Sequence, residues 1–185
     1  MAPLRTVPGR VESNLMNRWS WRLLFLAGLG LAGASAVQAE GEATLSEDGR
    51  VQWAAALTSP GAIKGGDATT LDLSGTIRDG WHVYALTQSA GGPTALRVTV
   101  DDNEVALAAG VPSGTPPQKR HDPSFGIETR FYTHAFTIHV PVQLKQQSTT
   151  GRQDIPISVR FQTCSDRECQ PPTTIHLLVP VDVLP

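Results

Sequence analysis

Residues 70–86 read TLDLSGTIRDGWHVYAL, and polar and apolar side chains alternate on both sides of Asp79-Gly80. Alternation with a period of two is typical of a β-strand with one buried face, and Asp-Gly between two such runs is a strong hairpin signal. Similar runs, separated by turn residues, occupy 51–57, 96–100, 135–140, 155–161 and 175–181. The pattern predicts an all-β antiparallel sandwich of about seven or eight short strands, with negligible helix.

Length and charge limit the classes of function. The chain has 185 residues, of which 40% are hydrophobic and 17% charged, and its formal net charge is −2. This length supports one sizeable hydrophobic core, so a single folded domain is expected. The near-neutral charge provides no field that would attract nucleic acid or an anionic membrane. We therefore expect no nucleic-acid partner.

The N-terminal segment has the pattern of an export signal. Arg18 and Arg22 precede an uncharged run over 23–37, and Val37-Gln38-Ala39 forms a small-residue cleavage site before Glu40. These features are typical of a secretory signal peptide. The alternative is an uncleaved membrane anchor, but the run falls short of the ~20 residues needed to span a bilayer.

The predicted domain organisation follows from this signal. Residues 1–39 are predicted to be the signal peptide, with 1–15 as an upstream extension, and residues 40–185 to be the exported domain. We expect no membrane span after cleavage and a location on the oxidising side of the membrane, where cysteines can pair.

Residues 113–127, SGTPPQKRHDPSFGI, interrupt the alternation. They hold three prolines, two glycines and the basic run Lys119-Arg120-His121, which makes them too polar for a strand. We expect a long loop without regular structure. It acts either as a lid or binding loop, or as a connection that only wraps the surface.

The segment FQTCSDRECQPP at 161–172 contains Cys164 and Cys169, the two cysteines of the chain. Positions that flank a tight hairpin lie within the ~4.4–6.8 Å Cα separation of a disulfide, so this pair can bridge. A loop this short stabilises a fold by roughly 2 kcal/mol, about half the effect of a bridge between distant strands. Two interpretations stay open: a labile pair used in redox exchange, and a structural bridge that staples the hairpin.

Other chemistry has little support in the sequence. The histidines are scattered without paired ligand spacing, at His82, His121, His134, His139 and His176. A soft-metal site of Cys164, Cys169 and one loop histidine is a minor alternative, and we predict no metal and no cofactor. The chain has no G-x-S-x-G turn and no Gly-rich phosphate loop, which leaves hydrolase and nucleotide-binding functions unsupported.

Three segments together resemble one known family. The Cys164-x4-Cys169 pair follows Phe161-Gln162 and precedes Pro171-Pro172, residues 79–84 read DGWHVY, and residues 122–132 read DPSFGIETRFY. They are similar to the cysteine motif, the Gly-aromatic-x-x-Tyr strand and the lid of the N-terminal periplasmic domain of the disulfide reductase DsbD. The similarity covers most of residues 45–183.

This resemblance implies an immunoglobulin-like sandwich that passes electrons by thiol–disulfide exchange in the periplasm. Cys169 would form the mixed disulfide with a partner, and Cys164 would resolve it. Phe125 would be the lid aromatic that shields the pair, and the implied supporting residues of the site are Asp122, Tyr84 and Phe161. The implied partners are thioredoxin-like proteins or a membrane disulfide reductase.

The family's full protein continues into a membrane domain and a thioredoxin-like domain, whereas this sequence stops at Pro185. We therefore expect a chain that either acts in trans with separately encoded redox partners or has lost the relay. The alternative hypothesis is a non-catalytic binding module, in which the disulfide is structural and residues 113–127 hold a protein partner.

The two cysteines are expected to differ in exposure. Cys164 ends a strand and should be the more buried, whereas Cys169 lies beside prolines that cannot extend a β-ladder and so leave the backbone open to a partner. Asp166 and Glu168 make the intervening turn net acidic, and nearby negative charge raises the pKa of a thiol. Slow uncatalysed exchange is the expected consequence.

Overall fold

The computed structural model describes residues 43–185, which form strands and turns without a helix. The strands of this part of the chain are β1 (Thr44–Leu45), β2 (Val51–Leu57), β3 (Ala62–Lys64), β4 (Ala68–Ile77), β5 (Trp81–Tyr84), β6 (Arg97–Val100), β7 (Ala106–Ala108), β8 (Ser113–Gly114), β9 (Gln118–Asp122), β10 (Ile127–Tyr132), β11 (Ala135–Leu144), β12 (Gly151–Phe161), β13 (Thr163–Ser165) and β14 (Thr173–Leu184).

Two sheets enclose the main core. The first has the order β1-β2-β4-β11-β7, with β8 also paired to β11, and the second has the order β3-β14-β12-β6. Neighbouring strands are antiparallel except β3 and β14, which pair in parallel. Buried side chains from both sheets join one hydrophobic cluster. The fold is therefore an antiparallel, immunoglobulin-like β-sandwich, which confirms the predicted fold class.

Aromatic packing sets the geometry of this core. Trp53 on β2 is fully buried, and its ring centroid lies 5.6 Å from that of Phe136 and 4.9 Å from that of Phe161. Gly75 on β4 lies against these rings, and a Cβ there would stand 2.6 Å from an edge carbon of Phe136. Only glycine lets the two aromatic side chains approach the strand this closely.

A smaller sheet, ordered β13-β5-β10-β9, carries the candidate site. Successive side chains of β5 point to opposite faces, so Val83 joins the main core while Tyr84 joins a separate buried cluster with Phe131 and Cys164. Tyr84 is the register partner of Phe131, and His82 is the register partner of Cys164. β5 is thus buried on both faces, and its second face forms the floor of the site.

The expectation of an unstructured loop at 113–127 is wrong. This segment contains β8 and β9, and β9 forms a hairpin with β10. Lys119, Arg120 and His121 are exposed on β9, which is an edge strand. Edge strands need only one backbone partner and tolerate charged side chains, so polarity did not prevent pairing. Short strands with little alternation also make the expected strand number too low.

The predicted signal peptide, residues 1–39, and its upstream extension, residues 1–15, lie outside the described residues. The predicted domain start at residue 40 lies there too. Within residues 43–185, no helix has the length and apolar character needed to cross a membrane.

Candidate functional site

Cys164 and Cys169 form a disulfide, with their Cα atoms 4.1 Å apart. Cys164 lies on β13, and a tight turn brings Cys169 back as its partner in an isolated β-bridge. The turn is closed by the N–H of Ser165, which donates to the carbonyl of Glu168 at 2.8 Å. The bridged hairpin that the cysteine spacing permits is therefore present.

The two bridged cysteines differ in exposure. Cys164 is 1% exposed, whereas Cys169 is half-buried. Cys164 is packed with Tyr84 and Phe131, and the partly exposed Phe125 and Cys169 pack against them. We call these five residues the cysteine cluster. Cys169 is therefore the more exposed of the two cysteines, which is the order of exposure that the sequence predicts.

Tyr84 links the disulfide to a buried carboxylate. Its hydroxyl donates to Oδ2 of Asp122 at 2.7 Å and lies 3.9 Å from Sγ of Cys169. Asp122 is 3% exposed and also accepts from the N–H of Ser124 at 2.9 Å and the hydroxyl of Thr129 at 3.4 Å. Burial raises the pKa of Tyr84, and its bond to Asp122 raises that pKa further, so the hydroxyl keeps its proton and remains a donor.

The pKa of Asp122 reflects two opposing effects. Burial alone would raise this pKa, but the hydrogen bonds from Tyr84, Ser124 and Thr129 together outweigh burial and hold it below the ordinary value of 3.8. Because the folded pKa is depressed, the ionised carboxylate stabilises the fold above the unfolded pKa. That stabilisation is lost as the pH falls through the folded pKa.

Asp122→Asn tests this linkage. The variant is expected to lose about 1–3 kcal/mol of stability at pH 7, since a charged acceptor is replaced by a neutral one. The difference from wild type should begin to shrink below about pH 4, where the carboxylate of the unfolded chain becomes protonated, and should vanish as the pH falls through the lower pKa of the folded state. Urea unfolding at pH 7 and at pH 3 measures both effects. Asp182→Asn, at an exposed position on β14, is the matched control. Equal losses at both pH values would contradict the assignment.

A four-residue turn places Phe125 in the cysteine cluster. The carbonyl of Asp122 accepts from the N–H of Gly126 at 2.8 Å, which closes the turn between β9 and β10. Gly126 has a φ of 68°, a left-handed conformation that glycine adopts without steric cost. The ring of Phe125 lies edge-on to that of Tyr84, with centroids 5.8 Å apart. The turn therefore holds an aromatic side chain against Tyr84, whose hydroxyl lies 3.9 Å from Sγ of Cys169.

Two arginines pair with the acidic residues of the turn between the cysteines. Nη2 of Arg120 lies 3.2 Å from Oδ1 of Asp166, and Nη2 of Arg50 lies 3.5 Å from Oε1 of Glu168. Arg50 also stacks on the ring of Trp81 at 4.0 Å. These pairs offset the net acidity expected from the turn alone, although exposed pairs of this kind contribute little to stability.

His82, one of the five scattered histidines, is buried beside the cysteine cluster. It is 4% exposed, and its ring centroid lies 5.1 Å from those of both Tyr84 and Phe131. Burial and the charge of Arg120 lower the pKa of His82 to about 4, so the imidazole is neutral at physiological pH. The sequence indicates that His82 lies near the site, because residues 82 and 84 of one strand share a face and Tyr84 is a site residue.

Three of the four supporting residues implied by the resemblance join this arrangement: Phe125 and Tyr84 belong to the cysteine cluster, and Asp122 accepts a hydrogen bond from Tyr84. Phe161 does not. It lies at the end of β12 and packs on Trp53 in the main core, because its side chain points to the sandwich side. Within residues 43–185, no three His, Cys, Asp or Glu side chains come together as metal ligands.

Comparison with known families shows which family has a sequence of this kind. A family described as "Thiol:disulfide interchange protein DsbD, N-terminal" matches residues 54–180. The chain belongs to this family. The match spans the whole cysteine cluster and confirms the resemblance of the three segments to the DsbD N-terminal domain. No curated protein matches the chain.

Two solved structures are similar to this member of the DsbD N-terminal family. The N-terminal periplasmic domain of ScsB from Proteus mirabilis is 20% identical with a TM-score of 0.50, and the alignment covers 78% of this chain and 51% of that one. The reduced DsbD N-terminal domain of Neisseria meningitidis is 18% identical with a TM-score of 0.46, covering 74% of this chain and 88% of that one. At these identities the likeness concerns the fold alone.

Proposed function

We propose that the chain is an exported thiol–disulfide exchange domain. It passes two electrons between the Cys164–Cys169 pair and partners that are thioredoxin-like proteins or a membrane disulfide reductase. The observation that carries the proposal is a disulfide between a buried Cys164 and a half-exposed Cys169 in a member of the DsbD N-terminal family. No cofactor is required, because the sulfur atoms themselves carry the electrons.

The exchange begins at the accessible sulfur. A partner thiolate attacks Sγ of Cys169, a new S–S bond forms between them, and the electron pair of the broken bond leaves on Sγ of Cys164. The partner's second thiol then attacks its own bridged sulfur. This step releases Cys169, leaves both cysteines reduced and converts the partner to a disulfide. The reverse sequence delivers two electrons to an oxidised acceptor, with Cys169 attacking and Cys164 resolving.

Phe125 acts as the lid over the pair in this proposal. Phe125→Ala is expected to speed reduction by dithiothreitol about tenfold, because access to the attacked sulfur is one of the factors that control exchange. The rate is followed by alkylation of the released thiols. Phe125→Leu retains an apolar cover and should stay near the wild-type rate. Leu107→Ala, at an exposed position on β7, is the surface control. An unchanged rate in Phe125→Ala would show that the turn is not a shield.

Equilibration with thioredoxin tests the proposal as a whole. An exchange domain is expected to have a potential of about −200 to −270 mV, whereas structural disulfides lie below about −300 mV. The domain is mixed with thioredoxin at fixed dithiol-to-disulfide ratios, and each species is counted by alkylation and mass spectrometry. A potential in the structural range, with no exchange over hours, would favour the non-catalytic binding module.

Export is part of the proposed function. Cleavage before Glu40 would place the domain in the periplasm, where its disulfide can form. Intact-mass measurement of periplasmic protein is expected to give a chain that begins near residue 40. A mass that includes residues 16–39 would contradict cleavage and support the membrane-anchor alternative.

A further inference from the structure

His82 carries a buried hydrogen-bond donor without an acceptor. Nη2 of Arg120 lies 3.4 Å from Nδ1 of His82. A guanidinium can only donate, so Nδ1 accepts and the single proton of the neutral imidazole lies on Nε2. Nε2 is buried and has no hydrogen-bond partner among residues 43–185. A buried N–H without a partner is unfavourable and calls for an explanation.

His82 lies close to the disulfide. His82 on β5 is the direct register partner of Cys164 on β13. Side chains at opposed positions lie on the same face, with Cβ atoms about 4.5–5.5 Å apart. The two rings that pack on His82, those of Tyr84 and Phe131, belong to the same buried cluster as Cys164. The imidazole and the sulfur therefore share one water-poor compartment.

Exchange creates negative charge at this buried sulfur. When a partner attacks Cys169, the electron pair of the broken bond leaves on Sγ of Cys164, a residue that is only 1% exposed. Water has little access to solvate the new thiolate. A hydrogen bond to an ionised acceptor is about twice as strong as one between neutral groups. A donor that has no partner in the disulfide state can therefore stabilise the thiolate as it forms.

We propose that His82 is a catalytic residue of the exchange, whose Nε2–H donates a hydrogen bond to the Cys164 thiolate as the disulfide opens. This role rests on the proposed function. The S–S bond breaks, its electron pair stays on Sγ of Cys164, and the imidazole keeps its proton. Arg120 is a positioning residue, because its donation to Nδ1 selects the Nε2–H tautomer, while Asp166 pairs with the guanidinium.

Titration of the lone Cys164 thiol tests the contact without any partner. In the Cys169→Ala background, thiolate absorbance at 240 nm is recorded against pH for wild-type His82, His82→Phe and His82→Gln. His82→Phe keeps an aromatic ring between Tyr84 and Phe131 but removes the donor, so its curve should move to higher pH. His82→Gln places an amide N–H near the Nε2 position and should restore most of the wild-type curve. His139→Phe, at an exposed position on β11, is the control.

Kinetics of disulfide opening provide the second measurement. Both cysteines are kept, and Phe125→Ala is used as the background so that lid opening does not limit the rate. His82→Phe is expected to slow reduction by dithiothreitol about tenfold, the effect of losing one hydrogen bond to a charged group. His82→Gln should stay within about threefold of the parent, because its amide retains a donor. Thermal unfolding checks that each variant is folded.

The outcomes separate this inference from the proposed function. Coinciding titration curves and equal opening rates for His82→Phe and its parent, in folded protein, would overturn the role of His82. The exchange function would survive if the parent still equilibrates with thioredoxin. A shifted curve restored by His82→Gln would support the role of His82, even if thioredoxin proves to be an inactive partner.

Discussion

Cys164→Ala is expected to accumulate a mixed disulfide with a thioredoxin-like partner, and Cys169→Ala is not. Cys169 is half-buried and is expected to attack a partner disulfide, while Cys164 is fully buried within the cysteine cluster. Without Cys164, and with the second cysteine of thioredoxin replaced by serine, the mixed disulfide has no resolving thiol on either side and persists, so trapping should exceed that of Cys169→Ala by about tenfold or more. The thioredoxin variant that keeps only its attacking cysteine is activated as a mixed disulfide with thionitrobenzoate, which leaves when the Cys169 thiolate attacks. Non-reducing electrophoresis and mass spectrometry then measure the trapped fraction.

The reaction needs matched controls. The double variant Cys164→Ala/Cys169→Ala should trap nothing, and dithiothreitol should reduce the mixed disulfide of the single variant. Equal trapping by both single variants would remove the assigned order of the two cysteines. No trapping by either variant, in folded protein, would support a structural disulfide.

Phe161→Ala is expected to have the largest effect on stability, about 3–5 kcal/mol, because it empties an aromatic site in the core. Phe161 is fully buried, and its ring packs on that of Trp53 at 4.9 Å. This loss is a large fraction of the ~5–15 kcal/mol that stabilises an ordinary domain. Guanidinium unfolding with the disulfide intact measures the change.

Substitutions at Phe161 and at Phe125 are expected to have different effects, the first on the free energy of unfolding and the second on the rate of disulfide reduction. Phe161→Leu, which keeps much of the buried volume, should lose less stability than Phe161→Ala and should reduce with dithiothreitol at the wild-type rate. Phe125→Ala should do the opposite, with faster reduction and a smaller stability loss, because Phe125 is only half-buried. If Phe161→Leu altered the reduction rate as much as Phe125→Ala does, Phe161 would belong to the site after all.

Local pattern was enough for the fold class and for the disulfide. Side chains of a strand alternate whatever the strand packs against, so the alternation at 70–86 predicts β4, β5 and the turn between them. Cys164 and Cys169 are five residues apart, and a short turn by itself brings such positions together. Neither inference requires knowledge of a distant part of the chain.

Local pattern gave a wrong prediction for residues 113–127, whose polarity was interpreted as a loop. Residues 118–122 are polar and mostly exposed, yet they form β9 because β10 supplies a full set of backbone partners. A backbone ladder does not require apolar side chains at a sheet edge. Local pattern also could not predict the pairing of Arg50 with Glu168, since the two residues are 118 positions apart.

Alternation and cysteine spacing therefore predict an all-β sandwich, one possible disulfide, and the face of β5 on which Tyr84 lies. Which faces meet depends on long-range packing: Phe161 packs in the main core and not at the disulfide, and His82 is buried opposite Cys164. The physical reason is that the direction of a side chain follows from the backbone of its own strand. Its surroundings depend on which strands pair beside it, and β5 pairs with β10 and β13, which are distant from it in sequence.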